Sequence, residues 1–268
     1  SQAGTAADQQ VGGAADLEGR VIRAVGVPAE RFREDYLRIL RAIRFACRLD
    51  FAIDPLTWAA ALAAADGLGQ LSAERVRDEW FRSLESARAL PRLFELWHAV
   101  GAAGRWLPGL AVEYPFAASD PSPRDPVRLT AAGCTGSGAA LERLRASGAE
   151  IDRARRIERG PAGPPSLELP AVRRWLSAVE PAADDLAAVH RLRTGQAPPW
   201  TAVVEGVRAR GEPIVRGDLA VTGDDLRAAG IAPGPAIGKL LAEMLERVLD
   251  DPGQNTREAL LAYAREPR

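Results

Sequence analysis

The residues of this chain best suited to chemistry stand together in Glu34-Asp35-Tyr36-Leu37-Arg38-Ile39-Leu40-Arg41-Ala42-Ile43-Arg44-Phe45-Ala46-Cys47-Arg48. Read at helical spacing, the stretch has two faces. Tyr36, Ile39, Leu40, Ile43 and Cys47 make an apolar stripe, with the periodicity of a core-facing helix. Arg38, Arg41, Arg44 and Arg48 line the opposite side, and Asp35 lies one turn before Arg38. A solvated helix face mixes its signs so that Glu and Arg pair along it. Here the signs are segregated, which suits an anionic ligand. Asp35 and Arg38 set an acceptor beside a fork of donors. That pair can read the edge of a nucleobase, carboxylate to exocyclic amine and guanidinium to ring nitrogen or carbonyl. Taken alone, the stripe also fits a surface helix whose arginines cover the core.

The elements that position these residues read as helices. Asp54-Pro55 starts one, with Asp as cap and Pro at its first position, running through the Ala-rich stretch to Gly67 and Gly69. Ser72 caps the next, from Ala73 to about Ala87, and a further helix spans Arg92 to about Ala102, with Trp97 and Trp106 in the core. Before all of these, residues 1–30 are Gly- and Ala-rich, a linker with a turn or short strand at Val21-Ile22. Pro108, Pro115, Pro121, Pro123 and Pro126 break the pattern and mark a domain boundary. Helices resume over 127–211, interrupted at Gly160-Pro161-Ala162-Gly163-Pro164-Pro165 and preceded there by Arg153, Arg155, Arg156 and Arg159. In 212–268, Thr222 to Asp225 and Asn255 to Glu258 each spell a capping box. Gly234-Pro235 opens a helix that carries Lys239, whose free amides and ammonium suit a phosphate without the spacing of a P-loop.

Composition sets the limits. The 268 residues are 47% apolar, enough for a sizeable core, and the net charge of -1 gives no global signature for nucleic acid. Any such site is a local patch. Lys239 is the only lysine, so positive charge is almost wholly Arg, the better reader of phosphates and bases. Cys47 and Cys134 are distant and outside any C-x-x-C, which points to a reducing cytoplasm. Two histidines, His98 and His190, exclude a His-rich metal site. No apolar run approaches the ~18–20 residues of a membrane-spanning helix.

Glu34-Asp35-x-x-Arg38, continued by Leu40-Arg41-Ala42-Ile43-Arg44-Phe45, resembles the EDxxR motif of the bacterial (class II) tRNA nucleotidyltransferase and poly(A) polymerase family. Asp16-Leu17 and Ile22-Arg23-Ala24-Val25-Gly26 look like the family's DL…IRxVG stretch, and Arg31-Phe32-Arg33 like its lead-in. Ser72-Ala73-Glu74-Arg75-Val76-Arg77-Asp78-Glu79 resembles its SxERxxxE motif, and Arg173-Arg174-Trp175-Leu176 its RRWL. The run from Asp218-Leu219 through Gly223-Asp224-Asp225-Leu226 to Asp251-Pro252 is similar to its tail. The resemblance implies an all-α fold with a short remnant of head and hinge at 1–28, a neck at 29–108, a body at 109–211 and a tail at 212–268. It implies nucleotide binding by Asp35 and Arg38, assisted by Arg41 on the same face, and support from Glu34, Arg44, Glu74, Arg75 and Glu79. Arg173, Arg174 and Lys239 become candidates for RNA contacts, tRNA the partner, CTP and ATP the substrates.

The same resemblance implies a catalytic head with a Gly-Ser or Gly-Gly turn and a D-x-D pair that binds Mg²⁺. Here Gly136-Ser137 leads to Gly138-Ala139-Ala140-Leu141, and Asp184-Asp185, Asp224-Asp225 and Asp250-Asp251 are adjacent pairs rather than D-x-D. The expectation is therefore a neck, body and tail whose head lies upstream of Ser1, with no catalytic or metal-binding residue in this chain. Three readings follow. The favoured one is the nucleotide-selecting, RNA-binding part of an enzyme that adds C, C and A to tRNA. The others are a poly(A) or partial C- or A-adding enzyme, and a non-catalytic helical RNA-binding protein.

Overall fold

The computed structural model describes residues 13–111, 113, 116 and 124–266. Of the linker expected over 1–30, residues 1–12 lie outside the described residues, as do Pro115, Pro121 and Pro123 of the expected boundary, while residues 13–18 and the chain from Pro28 are helical rather than linker. The all-α class holds: the only named strands among the described residues are β1 (Val21–Ile22) and β2 (Ala52–Ile53), paired in parallel with Val21 opposite Ala52. They follow a short helix α1 (residues 13–18). β2 carries no sequence signal, because a two-residue pairing has no room for alternation.

Two compact units divide the chain, residues 1–159 with 188–196, and residues 160–187 with 197–268. In the first, helices α2 (Pro28–Glu34), α3 (Leu37–Leu49), α4 (Pro55–Ala63), α5 (Ala73–Ser86), α6 (Leu90–Ala99) and α7 (Ala102–Trp106) precede α8 (Pro126–Gly133), α9 (Ser137–Arg143) and α10 (Gly148–Arg159). The apolar stripe behaves as its period dictates. Ile39, Leu40 and Ile43 are fully buried where α3 packs on α5 and α6, each such side chain contributing ~1.5–3 kcal/mol of burial. Trp80, Phe94 and Trp97 complete that core, the two indoles 4.6 Å apart edge to face. The expected boundary at 108–126 does not separate compact units. α8 packs on α5, and Trp80 Nε1 donates to Thr130 Oγ1 at 2.9 Å. Trp106, expected in the core, is only partly buried.

Three of the four predicted capping residues cap as expected. Asp54 Oδ2 accepts from Thr57 N at 2.9 Å, Ser72 Oγ from Arg75 N at 3.4 Å, and Thr222 and Asp225 form the reciprocal capping box. At the fourth the cap is Thr256, not Asn255: Thr256 Oγ1 accepts from Ala259 N at 3.2 Å. Asn255 instead accepts from Ala220 N and donates to the Asp218 carbonyl.

The second unit holds α11 (Leu169–Val179), α13 (Thr201–Ala209), α14 (Gly223–Ala228), α15 (Pro235–Asp250) and α16 (Arg257–Ala264), while the division falls inside α12 (Ala183–Thr194). Its tail core gathers Leu219, Val221, Leu226, Leu240, Met244, Val248 and Leu260.

Candidate functional site

The helix read as continuous from Glu34 breaks at Asp35. α2 ends at Glu34, Asp35 is extended (φ -157°, ψ 104°), and α3 begins at Leu37. The physical reason is the capping chemistry of Asp: its Oδ1 accepts the Leu37 amide at 3.1 Å and its carbonyl the Arg38 amide at 3.1 Å. Tyr36 occupies the turn with its ring against Gly67, where a Cβ would stand 2.0 Å from the ring. Gly67 is thus the seat of the turn that presents Asp35, rather than a helix stop alone.

Each member of the expected pair is held from behind. Arg75 Nη2 donates to both Asp35 oxygens, at 3.0 and 2.9 Å. Arg38 Nη1 donates to Glu34 Oε2 at 2.5 Å and to the Arg31 carbonyl at 3.0 Å. Glu34 also accepts from Arg31 Nη1 at 2.8 Å. The Arg38 hydrogen bond, with Arg31 adding charge, holds the Glu34 carboxyl below its ordinary range. A fixed carboxylate and a fixed guanidinium one turn apart can offer an acceptor and donors to one planar partner.

The remaining expected support splits by depth. Glu79 is 1% exposed, and its Oε1 accepts from Arg44 Nε at 2.5 Å. Its Oε2 finds no hydrogen bond among the described residues, with Arg41 Nε 3.9 Å away. Glu74 is at the surface, accepting from Arg145 Nη1 at 3.1 Å. Its own backbone amide first, then Arg145, hold its carboxyl low.

Arg38 and Arg41 line one groove of about 280 Å³ with Arg23, Arg31, Val25, Phe32, Ala42 and Phe45. Asp35 is not among its lining residues. The motifs read from the sequence contain Phe45, Arg31 and Arg23 but give them no role in the site. The signal for Phe45 was present, since it is an aromatic residue off the apolar stripe.

In the second unit the expected RNA-facing residues part ways. Arg173 is corrected: it is 5% exposed, pairs with Glu212 at 2.5 Å, and donates to the carbonyls of Leu249 and Asp250 at 3.0 and 3.2 Å. It closes the C-terminus of α15, as a cation there should, and is buried rather than facing solvent. Arg174 is half-exposed but engaged by Glu246 at 2.9 Å and Asp250 at 2.5 Å, which raise its pKa. Lys239 is 81% exposed, with Glu243 at 4.0 Å. Among the described residues no three His, Cys, Asp or Glu converge as metal ligands, and no helix is long and apolar enough to cross a membrane.

Residues 213–264 match the family model described as tRNA nucleotidyltransferase domain 2, putative, and residues 50–113 that described as probable RNA and SrmB-binding site of polymerase A. The CCA-adding enzyme of Levilactobacillus brevis is 30% identical over 282 residues, covering 93% of this chain and 65% of its own length. That of Geobacillus stearothermophilus is 31% identical over 274 residues, covering 95% of this chain and 66% of its own. The crystal structure of the Bacillus stearothermophilus CCA-adding enzyme in complex with CTP superposes with a TM-score of 0.75 at 25% identity, over 94% of this chain and 67% of that one. The Thermotoga maritima CCA-adding enzyme complexed with tRNA shares the fold, with a TM-score of 0.58 at 18% identity, over 94% of this chain and 65% of that one. The chain spans just under two thirds of the length of these two curated relatives.

Proposed function

Because the chain belongs to the tRNA nucleotidyltransferase and poly(A) polymerase family, we propose that it is the nucleotide-selecting and RNA-binding part of an enzyme that adds C, C and A to tRNA 3′ ends from CTP and ATP. The observation that carries this is the preorganised pair at the turn between α2 and α3: Asp35 fixed by Arg75 and the Leu37 amide, Arg38 fixed by Glu34 and the Arg31 carbonyl.

The pair acts as a template made of protein. Cytosine and adenine share an edge with an exocyclic amine beside an unprotonated ring nitrogen. Asp35 accepts from the amine. Arg38, whose bonds within the protein run through Nη1, donates to the ring nitrogen through its other N–H groups. Uracil presents a carbonyl beside an N–H, so acceptor meets acceptor and donor meets donor. Polar groups left unpaired in this way support large discrimination. Glu34 and Arg75 act through Arg38 and Asp35, and Glu79 through Arg44, as positioning residues.

The residues of this chain do not fit a Mg²⁺ site, having no D-x-D pair and, among the described residues, no ligand cluster. The role proposed for the chain stops at selecting and holding substrates. The RNA is held by exposed cations, Lys239 among them, through its phosphates. A second reading, polyadenylation, is favoured by the match of residues 50–113 to the polymerase A model. Supplying the complete protein with a tRNA that lacks its terminal CCA, and with CTP alone, ATP alone or both, tests both. Two C additions from CTP followed by one A support CCA addition. A run of A from ATP alone supports polyadenylation, and no incorporation from either contradicts both.

A further inference from the structure

Phe45 is an aromatic side chain on a helix face where the periodicity calls for a polar one. It is 40% exposed, beside the arginine row of α3. The Arg44 guanidinium lies over its ring, 4.2 Å from the centroid. Arg44 is in turn fixed by the buried Glu79 at 2.5 Å. The orientation of an exposed ring is thus set by contacts that begin in the core. A cation on one side of a ring is favourable, and it leaves the rest of the ring to whatever enters the groove.

The groove has the chemistry of one ligand class. Val25, Phe32, Ala42 and Phe45 give it an apolar lining, with Arg23, Arg31, Arg38 and Arg41 beside them. Arg23 is paired with Asp16 and Asp54, and Arg31 and Arg38 with Glu34, whereas Arg41 is half-exposed with Glu79 no nearer than 3.9 Å. No carboxylate is among its lining residues. A flat apolar body with anionic groups attached complements that arrangement, and a nucleotide has that form.

We infer that Phe45 is a stacking platform on which a nucleobase lies, with Arg41 the guanidinium of the groove left to face its phosphates. This rests on the reading of Asp35 and Arg38 as base readers and adds what they lack. An edge-reading pair discriminates between bases, whereas an aromatic face holds C and A alike, because every base has a π-face. The base comes either from the incoming nucleoside triphosphate or from the 3′ end of the RNA, and both present the same rings.

Titration of the chain with CTP, ATP and UTP, and with tRNA ending in CC, tests this in four forms: wild type, Phe45→Ala, Phe45→Leu and Asp35→Ala. Phe45→Ala is expected to weaken CTP and ATP each by about tenfold, within the range of base–aromatic stacking, with the preference for CTP over UTP unchanged. Phe45→Leu keeps apolar bulk without a π-face and is expected to lose as much. A loss confined to tRNA keeps the platform and assigns the base to the RNA end. Affinities for all ligands within about twofold of wild type in both Phe45 variants, with helix content retained, overturn the inference. Wild-type chain that binds CTP and UTP equally defeats the edge-reading proposal instead, and the Phe45 comparison still decides the platform.

Discussion

Glu74 and Glu79 belong to one short motif yet sit in different dielectrics. Glu79 is buried against Arg44, itself only 13% exposed, so removing the carboxylate strands a cation. Glu79→Ala is expected to cost about 3 kcal/mol, whereas Glu74→Ala, which breaks a surface pair with Arg145, is expected to leave the urea midpoint nearly where it is. Urea denaturation of the two variants checks the contrast. The sequence spelled both residues as support, and depth alone separates them. Depth was equally hidden for Arg173. Its partner Glu212 and the carbonyls it closes are remote in sequence, and nothing in Arg173-Arg174-Trp175-Leu176 tells the buried arginine from the exposed one. Lys239, by contrast, was legible as a solvent-facing cation. Lys239→Ala is expected to weaken tRNA binding by about two- to threefold and to lower the slope of log affinity on log salt by about 1. An unchanged slope removes Lys239 from the RNA contacts.

At the level of elements, periodicity named the buried face of α3 correctly but ran the helix through Asp35. The signal that was passed over is Asp itself, a residue that favours caps over helix interiors. The turn it makes depends on Gly67, whose α-hydrogen faces the Tyr36 ring. Gly67→Ala is expected to displace that ring, destabilise the first unit by ~1–3 kcal/mol, and loosen CTP binding by moving Asp35. Calorimetry and nucleotide titration of the variant read both effects. The capping box of α14 was legible down to the residue, because its pattern is local. Its Asp225 carboxyl is pushed down to about 2, chiefly by the Thr222 amide and then by Arg257, from an ordinary 3.8. A depressed carboxyl stabilises the fold above its ordinary value, and the contribution disappears as pH falls through the depressed one. Helicity of the tail should therefore decline between about pH 4 and about pH 2, and Asp225→Asn should flatten that limb. A pH titration by circular dichroism that superposes for the two proteins contradicts this.

For the molecule as a whole, the order and spacing of scattered motifs identified the family, although none of the pieces is specific alone. What those motifs did not convey is how the chain divides. The prolines at 108 and 126 look like a boundary, yet Trp80 and Thr130 bond across them inside one unit, and the division falls at 159–160 and within α12. Local turn chemistry marks where a helix stops, not which helices share a core. With a net charge of -1, the molecule as a whole holds no general attraction for RNA, and the proposed selection rests on a few placed groups, above all Asp35 and Arg38. The most direct test is competition of CTP against UTP on wild-type and Asp35→Ala chains, with tRNA affinity measured on the same samples. The account predicts that Asp35→Ala abolishes the preference for CTP while tRNA affinity stays within about twofold, since a base-edge reader makes no phosphate contact. A preference that survives while tRNA binding weakens would place Asp35 in RNA binding and contradict the template.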